Sequence, residues 1–369
     1  MKIREFEFNL RELAGSMGDF GTLLPLAIGY IVVNGLNPAG FLIMMGIVNI
    51  FLGLIYKLPM PLQPKKTVAT VATVAIAQGW TPSLIYSTGF GLGIVWLFLY
   101  FTNLIQKIVK YTPKSVTRGI TLALGFTLFL TGFEFFKTDI LIGIAAILII
   151  LIFRKNTRIP AAILLFLTGF VILIFKGQLM SIIDIGFTLP PLTSVSIKDI
   201  YTGMIMVGMA QIPLTLTNAV IAVTALLRDY FPEKPVSERK LLLNMGIINT
   251  IVPFFGGFPM CHGAGGLAGQ YTFGARTGGA NILEGTIEIC LGLFLSKSIL
   301  NLFSVFSMSI VGAMLFYVSY ELAKLTRDIK SNSEIFVMIL TAVVSVISNM
   351  AIGFTLGIIT FNLVKKLSS

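Results

Sequence analysis

The chain is a succession of long apolar runs separated by short polar breaks, and most runs approach the roughly 20 residues that a helix needs to cross a bilayer. In hydrocarbon no water is at hand for backbone N–H and C=O groups. A lipid-spanning chain must therefore close into helices or a barrel. Runs of this length with little alternation read as helices. Only 12% of residues are charged, against roughly 25% in a soluble domain, which excludes a soluble enzyme. The formal net charge of +11 does not indicate a nucleic-acid binder, because the basic residues lie between the apolar runs and not on one solvated face. One histidine, His262, and two cysteines, Cys261 and Cys290, leave no set of ligands for a zinc or haem site. No cofactor is expected. No Gly-x-x-x-x-Gly-Lys-Ser/Thr segment is present, which argues against ATP hydrolysis. The charged opening MKIREFEFNLRE does not read as a signal peptide.

The runs divide into about fourteen segments, near 13–33, 36–56, 64–79, 82–106, 114–132, 138–153, 159–176, 200–227, 239–255, 263–275, 279–296, 299–324, 333–349 and 351–366. The third and tenth are too short to cross the bilayer as helix. With the N-terminus in the cytoplasm, all of the 27 Lys and Arg fall inside except Lys137, Lys176, Lys198 and Lys297. That asymmetry predicts both termini inside, in the plasma membrane.

An internal repeat organises the runs. Gly46–Met60 aligns without gaps onto Gly246–Met260, with Gly46, Ile47, Asn49, Pro59 and Met60 matching Gly246, Ile247, Asn249, Pro259 and Met260. In each half the block leads into a short segment. An odd number of spans per half inverts the second half in the membrane. Inverted repeats with paired interrupted spans point to a secondary transporter that binds its substrate near the midplane.

The breaks carry the expected chemistry. The first, Leu58-Pro-Met-Pro-Leu-Gln-Pro-Lys-Lys-Thr67, has three prolines that stop a helix. The second, Gly256-Gly-Phe-Pro-Met-Cys-His-Gly-Ala-Gly-Gly266, lets backbone approach a ligand closely. Helices starting near Pro64 and Gly263 would aim two N-termini at the bilayer centre, an arrangement that favours anions. Candidate substrate contacts are Gln63, Lys65, Lys66, His262, Gly263, Ala264, Gly265 and Gly266, with Gln211 and Thr22 from spans eight and one. Lys65 and Lys66 are equally readable as topology charges, and His262 as a cap on the half-helix. Cys261 reads as packing. Ionisable residues inside a span are costly and usually functional, so Asp19, Glu284 and Glu288 are the candidate proton or coupling groups. Bracing of helices is the bland alternative for the two glutamates, as capping is for Asp19.

At these motifs the chain resembles the molybdate transporter family, a branch related to SulP sulfate permeases. The matching pieces are Gly18-Asp-Phe-Gly-Thr-x-x-Pro25, Pro59-Met-Pro-Leu-Gln-Pro64, Pro259-Met-Cys-His-Gly-Ala-Gly-Gly-Leu-Ala-Gly-Gln-Tyr271 and Phe273-Gly-Ala-Arg276. The resemblance runs from about 13 to 366 and implies an all-α membrane protein with a seven-plus-seven inverted repeat. It implies a transport core from 13–106 and 200–296, a gate from 114–176 and 299–366, and a site between the starts of spans three and ten. The absence of a C-terminal STAS domain fits this branch. Two positions depart from the family pattern: Thr272 stands where members carry Arg, and Lys65 where they often carry Met.

Sequence thus predicts a secondary transporter importing a tetrahedral oxyanion, with molybdate foremost and tungstate and sulfate as close rivals. The bilayer is its other partner, no nucleic acid is expected, and a homodimer is allowed. A nucleobase permease of the same architecture would be expected to place a carboxylate in span eight, where this chain has Gln211. A passive anion channel and a membrane enzyme built on His262 and Cys261 complete the alternatives.

Overall fold

The structure, a computed structural model, describes residues 2–3, 5–17, 23, 26–65, 68, 80–102, 104–105, 111–153, 161–177, 183–348 and 350–367. Asp19, Thr22 and Lys66 lie outside the described residues, as does nearly all of the third segment.

The described chain is mostly helical, with an irregular stretch at 183–196 and two very short antiparallel pairs. One pairs β1 (Lys2–Ile3) with β2 (Phe6–Glu7). The other pairs β3 (Gln63–Pro64) with β4 (Met260–Cys261) across the two halves of the chain. The helices are α1 (Leu10–Ser16), α2 (Pro38–Tyr56), α3 (Pro82–Thr102), α4 (Lys114–Phe136), α5 (Ile140–Phe153), α6 (Ala161–Phe175), α7 (Ile197–Tyr230), α8 (Glu238–Ile251), α9 (Ala264–Phe273), α10 (Gly279–Val305), α11 (Met308–Lys324), α12 (Asn332–Ile347) and α13 (Met350–Leu367). Among the described residues α2, α3, α4, α7, α10 and α11 are long and apolar enough to cross a membrane. Phe51, Phe101, Phe133 and other large apolar side chains on these helices face outward, as lipid contact requires.

Local chemistry explains the helix starts. Asn37 accepts a hydrogen bond from Gly40 N–H, with Pro38 in the first helical position of α2. Ser237 does the same for Lys240 N–H in α8. Both are favoured N-caps. α7 is one continuous span with π-helical turns at Met204–Gly208 and Leu216–Ile221. A further π turn, Gly29–Val33, ends the first span. Such turns recur at functional sites.

Two sets of helices pack together. α2 lies on α10, α3 on α8, and α1 on α9 and α10; α4 lies on α11, α12 and α13, with α5 on α11. The α2–α10 seam is backbone against backbone. A Cβ on Gly46 would stand 2.5 Å from the Gly285 carbonyl oxygen, and one on Gly278 would stand 2.2 Å from that of Gly53. Small residues at such contacts let membrane helices approach closely where no hydrophobic effect drives them together.

One predicted boundary is a kink and not a loop. The eleventh and twelfth segments were expected to part near 296–299, with Lys297 in an outer loop. Instead α10 runs on to Val305 through a kink at Leu295 (φ −128°, ψ 15°). The kink frees the carbonyls of Leu293 and Phe294, which accept from Thr188 N–H (2.8 Å) and Gly186 N–H (3.0 Å). Ser298 and Lys297 then reach Asp184, at 2.9 Å and 3.8 Å.

Just past α11, Asp328 clasps the start of α4, 2.6 Å from Arg118 Nη2 and 2.9 Å from Lys114 Nζ. The Arg118 guanidinium, and Lys114 with it, hold its carboxyl below the ordinary aspartate value of 3.8. A depressed carboxylate contributes stability above its unfolded value, and the contribution is lost as pH falls through the folded value. The group is partly exposed, so Asp328→Asn is expected to cost under about 1 kcal/mol. The gap in thermal midpoint from the wild type should hold at neutral pH and narrow only below the ordinary aspartate range. Gly285→Val should cost more, about 1–3 kcal/mol from overpacking the α2–α10 seam, read as a lower unfolding midpoint in detergent.

Candidate functional site

The breaks meet. α2 ends on Lys57 in the left-handed region (φ 56°), and the chain runs extended through the prolines to β3. α8 ends in a 3₁₀ turn (Val252–Phe255) and on Gly256 (φ 72°), a conformation that glycine adopts without strain. The chain then runs extended to β4. Gln63 pairs with Cys261 and Pro64 with Met260, and Lys65 N–H donates to Pro259 O at 2.9 Å. Each break satisfies backbone groups of the other, which irregular chain buried inside a membrane protein must do.

Two asparagines complete this satisfaction. Asn249 accepts from Met260 N–H (2.9 Å) and donates to Met260 O (2.8 Å). Asn281 accepts from Met60 N–H (2.8 Å) and donates to Met60 O (2.7 Å). Each side chain stands in for a neighbouring strand. The repeat predicts Asn49 as the partner of Met60; instead Asn49 accepts from Asn281 (2.9 Å) and donates to Glu288 Oε2 (2.8 Å).

His262 is fully buried, with Nδ1 3.0 Å from Pro61 O and Nε2 3.1 Å from Asn244 Oδ1. Both ring nitrogens are engaged, so the ring ties the second break to the first and to α8. Gln63 is buried with its side chain against Gly263, where a Cβ would lie 2.2 Å from Gln63 Oε1. α9 starts at Ala264 with Gly263 as N-cap and no side chain capping it. Among the described residues nothing stands within 4 Å of the position a Cβ would take on Gly265, which is exposed beside half-buried Ala264 and buried Gly266. The first-turn N–H groups lie at the positive end of this helix, where no side chain among the described residues caps them.

Lys65 is fully buried. Its Nζ lies 5.1 Å from the centre of the Trp96 ring of α3. Neither Lys65 Nζ nor Trp96 Nε1 has a hydrogen-bond partner among the described residues. Two adjacent buried donors without an acceptor are uncommon, since buried polar groups are nearly always paired. A cation–π contact offsets only part of the cost of burying an ammonium group. Trp96 was missed by sequence reasoning; a tryptophan in an apolar run carries no local signal of its role.

The other predicted residues lie on α7 and α10. Gln211 is buried in α7 and donates to Thr215 Oγ1 at 2.7 Å. Glu284 and Glu288 are buried on α10 and line an apolar cavity of about 350 Å³. Glu12, also missed, is buried; its carboxylate accepts from the backbone N–H groups of Arg276 and Thr277, each at 3.1 Å. It thereby fixes the turn between α9 and α10. Arg276 stacks on Tyr271 and donates to its carbonyl. Among the described residues no three His, Cys, Asp or Glu side chains come together as a metal site.

In a helical membrane fold, two breaks that meet beside an uncapped helix start and buried donors are features of solute transporters that take anions. The comparisons with known proteins are specific. The family model described as "Molybdate transporter of MFS superfamily" matches residues 11–128 and 203–322. Molybdate transporter 1 of Arabidopsis thaliana is 31% identical over 95% of this chain and 87% of its own length. Molybdate transporter 1 of Chlamydomonas reinhardtii is 28% identical over 94% and 90%. The fold is similar to that of SLC26A9 (TM-score 0.72, 14% identity, 100% of this chain and 66% of that one). It is also similar to the transmembrane domain of the cyanobacterial bicarbonate transporter BicA (TM-score 0.68, 15% identity, 96% and 98%). The chain belongs to the molybdate transporter family. It is a membrane transporter and not an enzyme.

Asn249→Leu would strand the N–H and C=O of Met260, at about 1–3 kcal/mol per buried group. The variant should unfold well below the wild type in detergent, and a midpoint within a degree of it would remove the strand-mimic role assigned to Asn249.

Proposed function

We propose that the protein is a secondary transporter that imports molybdate, bound as the dianion where the two breaks cross. The observation that carries this reading is the pair of buried donors, Lys65 Nζ and Trp96 Nε1, which have no acceptor among the described residues. The open, uncapped start of α9 supports it. The substrate contacts are Lys65, Gln63 and the Gly263–Gly266 backbone, with Lys66, Thr22 and Gln211 as further contributors and His262 holding the break in shape. Membership of the molybdate transporter family supports the choice of oxyanion. Tungstate and sulfate share its charge and tetrahedral geometry and are the competing ligands.

In this reading the chain forms about fourteen spans as an inverted repeat of seven and seven, with both termini cytoplasmic at the plasma membrane. The core (13–106 and 200–296) moves against the gate (114–176 and 299–366) and carries the site from one side to the other. The packing of α2 on α10 and α3 on α8, apart from that of α4 on α11 and α12, supports this division. Asp19, Glu284 and Glu288 are the groups considered for coupling.

The test is stabilisation of the purified protein by ligand. A ligand that binds only the folded state raises its apparent stability as concentration passes Kd. Molybdate should raise the unfolding midpoint and uracil should not. Lys65→Met should weaken the effect by about 1.5–3 kcal/mol of charge-assisted bonding, roughly ten- to hundredfold in Kd. Gly265→Val places its side chain in open space, so it should leave the ligand-free midpoint unchanged and still weaken binding. A sulfate shift alone would change the substrate, and a uracil shift alone would overturn the oxyanion reading.

A further inference from the structure

The two breaks are clamped in the same way but from different sources, and the difference engages a carboxyl group in one half only. In the second half Asn249 holds Met260 and also donates to Met245 O at 2.7 Å. In the first half Met60 is held by Asn281, from the opposite half, and Asn49 links Asn281 to Glu288. Clamping Met60 requires Asn281 alone. Glu288 is an addition that the clamp does not need.

The orientation of this chain is fixed. Asn281 accepts from Met60 N–H through Oδ1 and donates to Met60 O through Nδ2. Turning its amide over would lose both bonds. Its Nδ2 also donates to Asn49 Oδ1, which fixes the Asn49 amide in turn, so Asn49 Nδ2 can only donate to Glu288 Oε2. Met60 N–H, Asn281 and Asn49 therefore all donate in one direction, toward the carboxyl group. Oε2 is held as an acceptor in either state of Glu288, and Oε1 remains to take a proton.

We propose that Glu288 is a proton-binding group whose charge is transmitted through Asn49, Asn281 and Met60 to the oxyanion site three residues further on, so that anion binding and proton binding favour each other. The inference rests on the substrate reading above. The step balances simply: one proton from water joins the carboxylate, and one negative charge near the bound dianion is removed. Like charges in a poorly screened interior repel, so the neutral form binds the anion more tightly. Linkage makes the effect reciprocal.

The surroundings of Glu288 restrict the other participants. Glu284, one turn away on α10, lines the same cavity, and the first span contributes Ser16, whose hydroxyl donates to Leu13 O. Phe41, Met45 and Leu167 line it from α2 and α6 without a charge. Glu12 on α1 is turned to the Arg276–Thr277 backbone. Asp19 lies in the first span outside the described residues and enters the test as its own variant.

The experiment is molybdate binding to the purified full-length protein from about pH 5.5 to pH 8.5, for wild type, Glu288→Gln, Glu284→Gln, Asp19→Asn and Asn49→Leu. Uptake of one proton on binding predicts a wild-type Kd that rises by up to about tenfold per pH unit above the titration of the site. The Glu288→Gln side chain keeps an oxygen for Asn49 and carries no charge. That variant should therefore bind at every pH with the tight, low-pH affinity. Asn49→Leu, which severs the link and leaves Glu288 in place, should flatten the profile without that gain. A wild-type profile that is flat, a Glu288→Gln profile with the wild-type slope, or flattening by Asp19→Asn or Glu284→Gln alone would each overturn the proposal. Infrared difference spectra of the ligand-free protein give a second measurement. A protonated-carboxyl band that appears on acidification and is missing in Glu288→Gln supports the proton site, and an unchanged band overturns it. Failure of the wild type to bind any oxyanion would sink the substrate reading, and the infrared result would then decide the proton site alone.

Discussion

Everything at the centre of this protein depends on supplying hydrogen-bond partners to backbone that is not helical and is shielded from water. The chain leaves helix after α2 and again after α8, and each buried break carries peptide groups that an apolar interior cannot satisfy. The remedy is mutual. β3 and β4 pair across the halves, Lys65 N–H reaches Pro259, and Asn249 and Asn281 act as substitute strands for Met260 and Met60. With those peptide groups spoken for, the first turn of α9 and the donors of Lys65 and Trp96 have no acceptor or cap among the described residues. The same economy of hydrogen bonds that stabilises the crossing thus defines where an anion is wanted.

The helices around the crossing hold it by close contact. Gly46 and Gly53 on α2 meet Gly285 and Gly278 on α10 at seven-residue spacing, and backbone touches backbone along the seam. That proximity is what allows Asn49 of α2 to reach both Asn281 and Glu288 of α10. Larger residues would separate the helices and break the chain of amides. Packing and polar network are in this sense one feature.

Much of the framework was legible in the sequence because it is written in local terms. Three prolines between Leu58 and Thr67 and the glycines from Gly256 to Gly266 mark the breaks. The start of α9 was expected near Gly263, and Gly263 is its N-cap. The spans follow from apolar runs whose ends carry charge. What was not legible is long-range. Asn281 and Met60 are 221 residues apart, and Glu12 meets Arg276 across 264; no window along the chain contains both partners. Asn49 and Asn249 were visible as a matched pair in the repeat, yet their matching hid the difference in what they bind. The parting of the eleventh and twelfth segments near 296–299 was legible and takes the form of a kink at Leu295; the groups that accommodate it, from 186 and 188, were not.

The source of the two clamps also orders how the molecule can be made. Met260 is served by Asn249, eleven residues before it, so the second break can close as soon as it leaves the ribosome. Met60 must wait for Asn281, and β3 must wait for β4. Domains usually fold in the order of synthesis, N-terminal first. Here the N-terminal half carries an open pair of peptide groups until most of the chain has been translated. The protein cannot be assembled half by half, and the insertion machinery must keep the first break wet or covered through that delay.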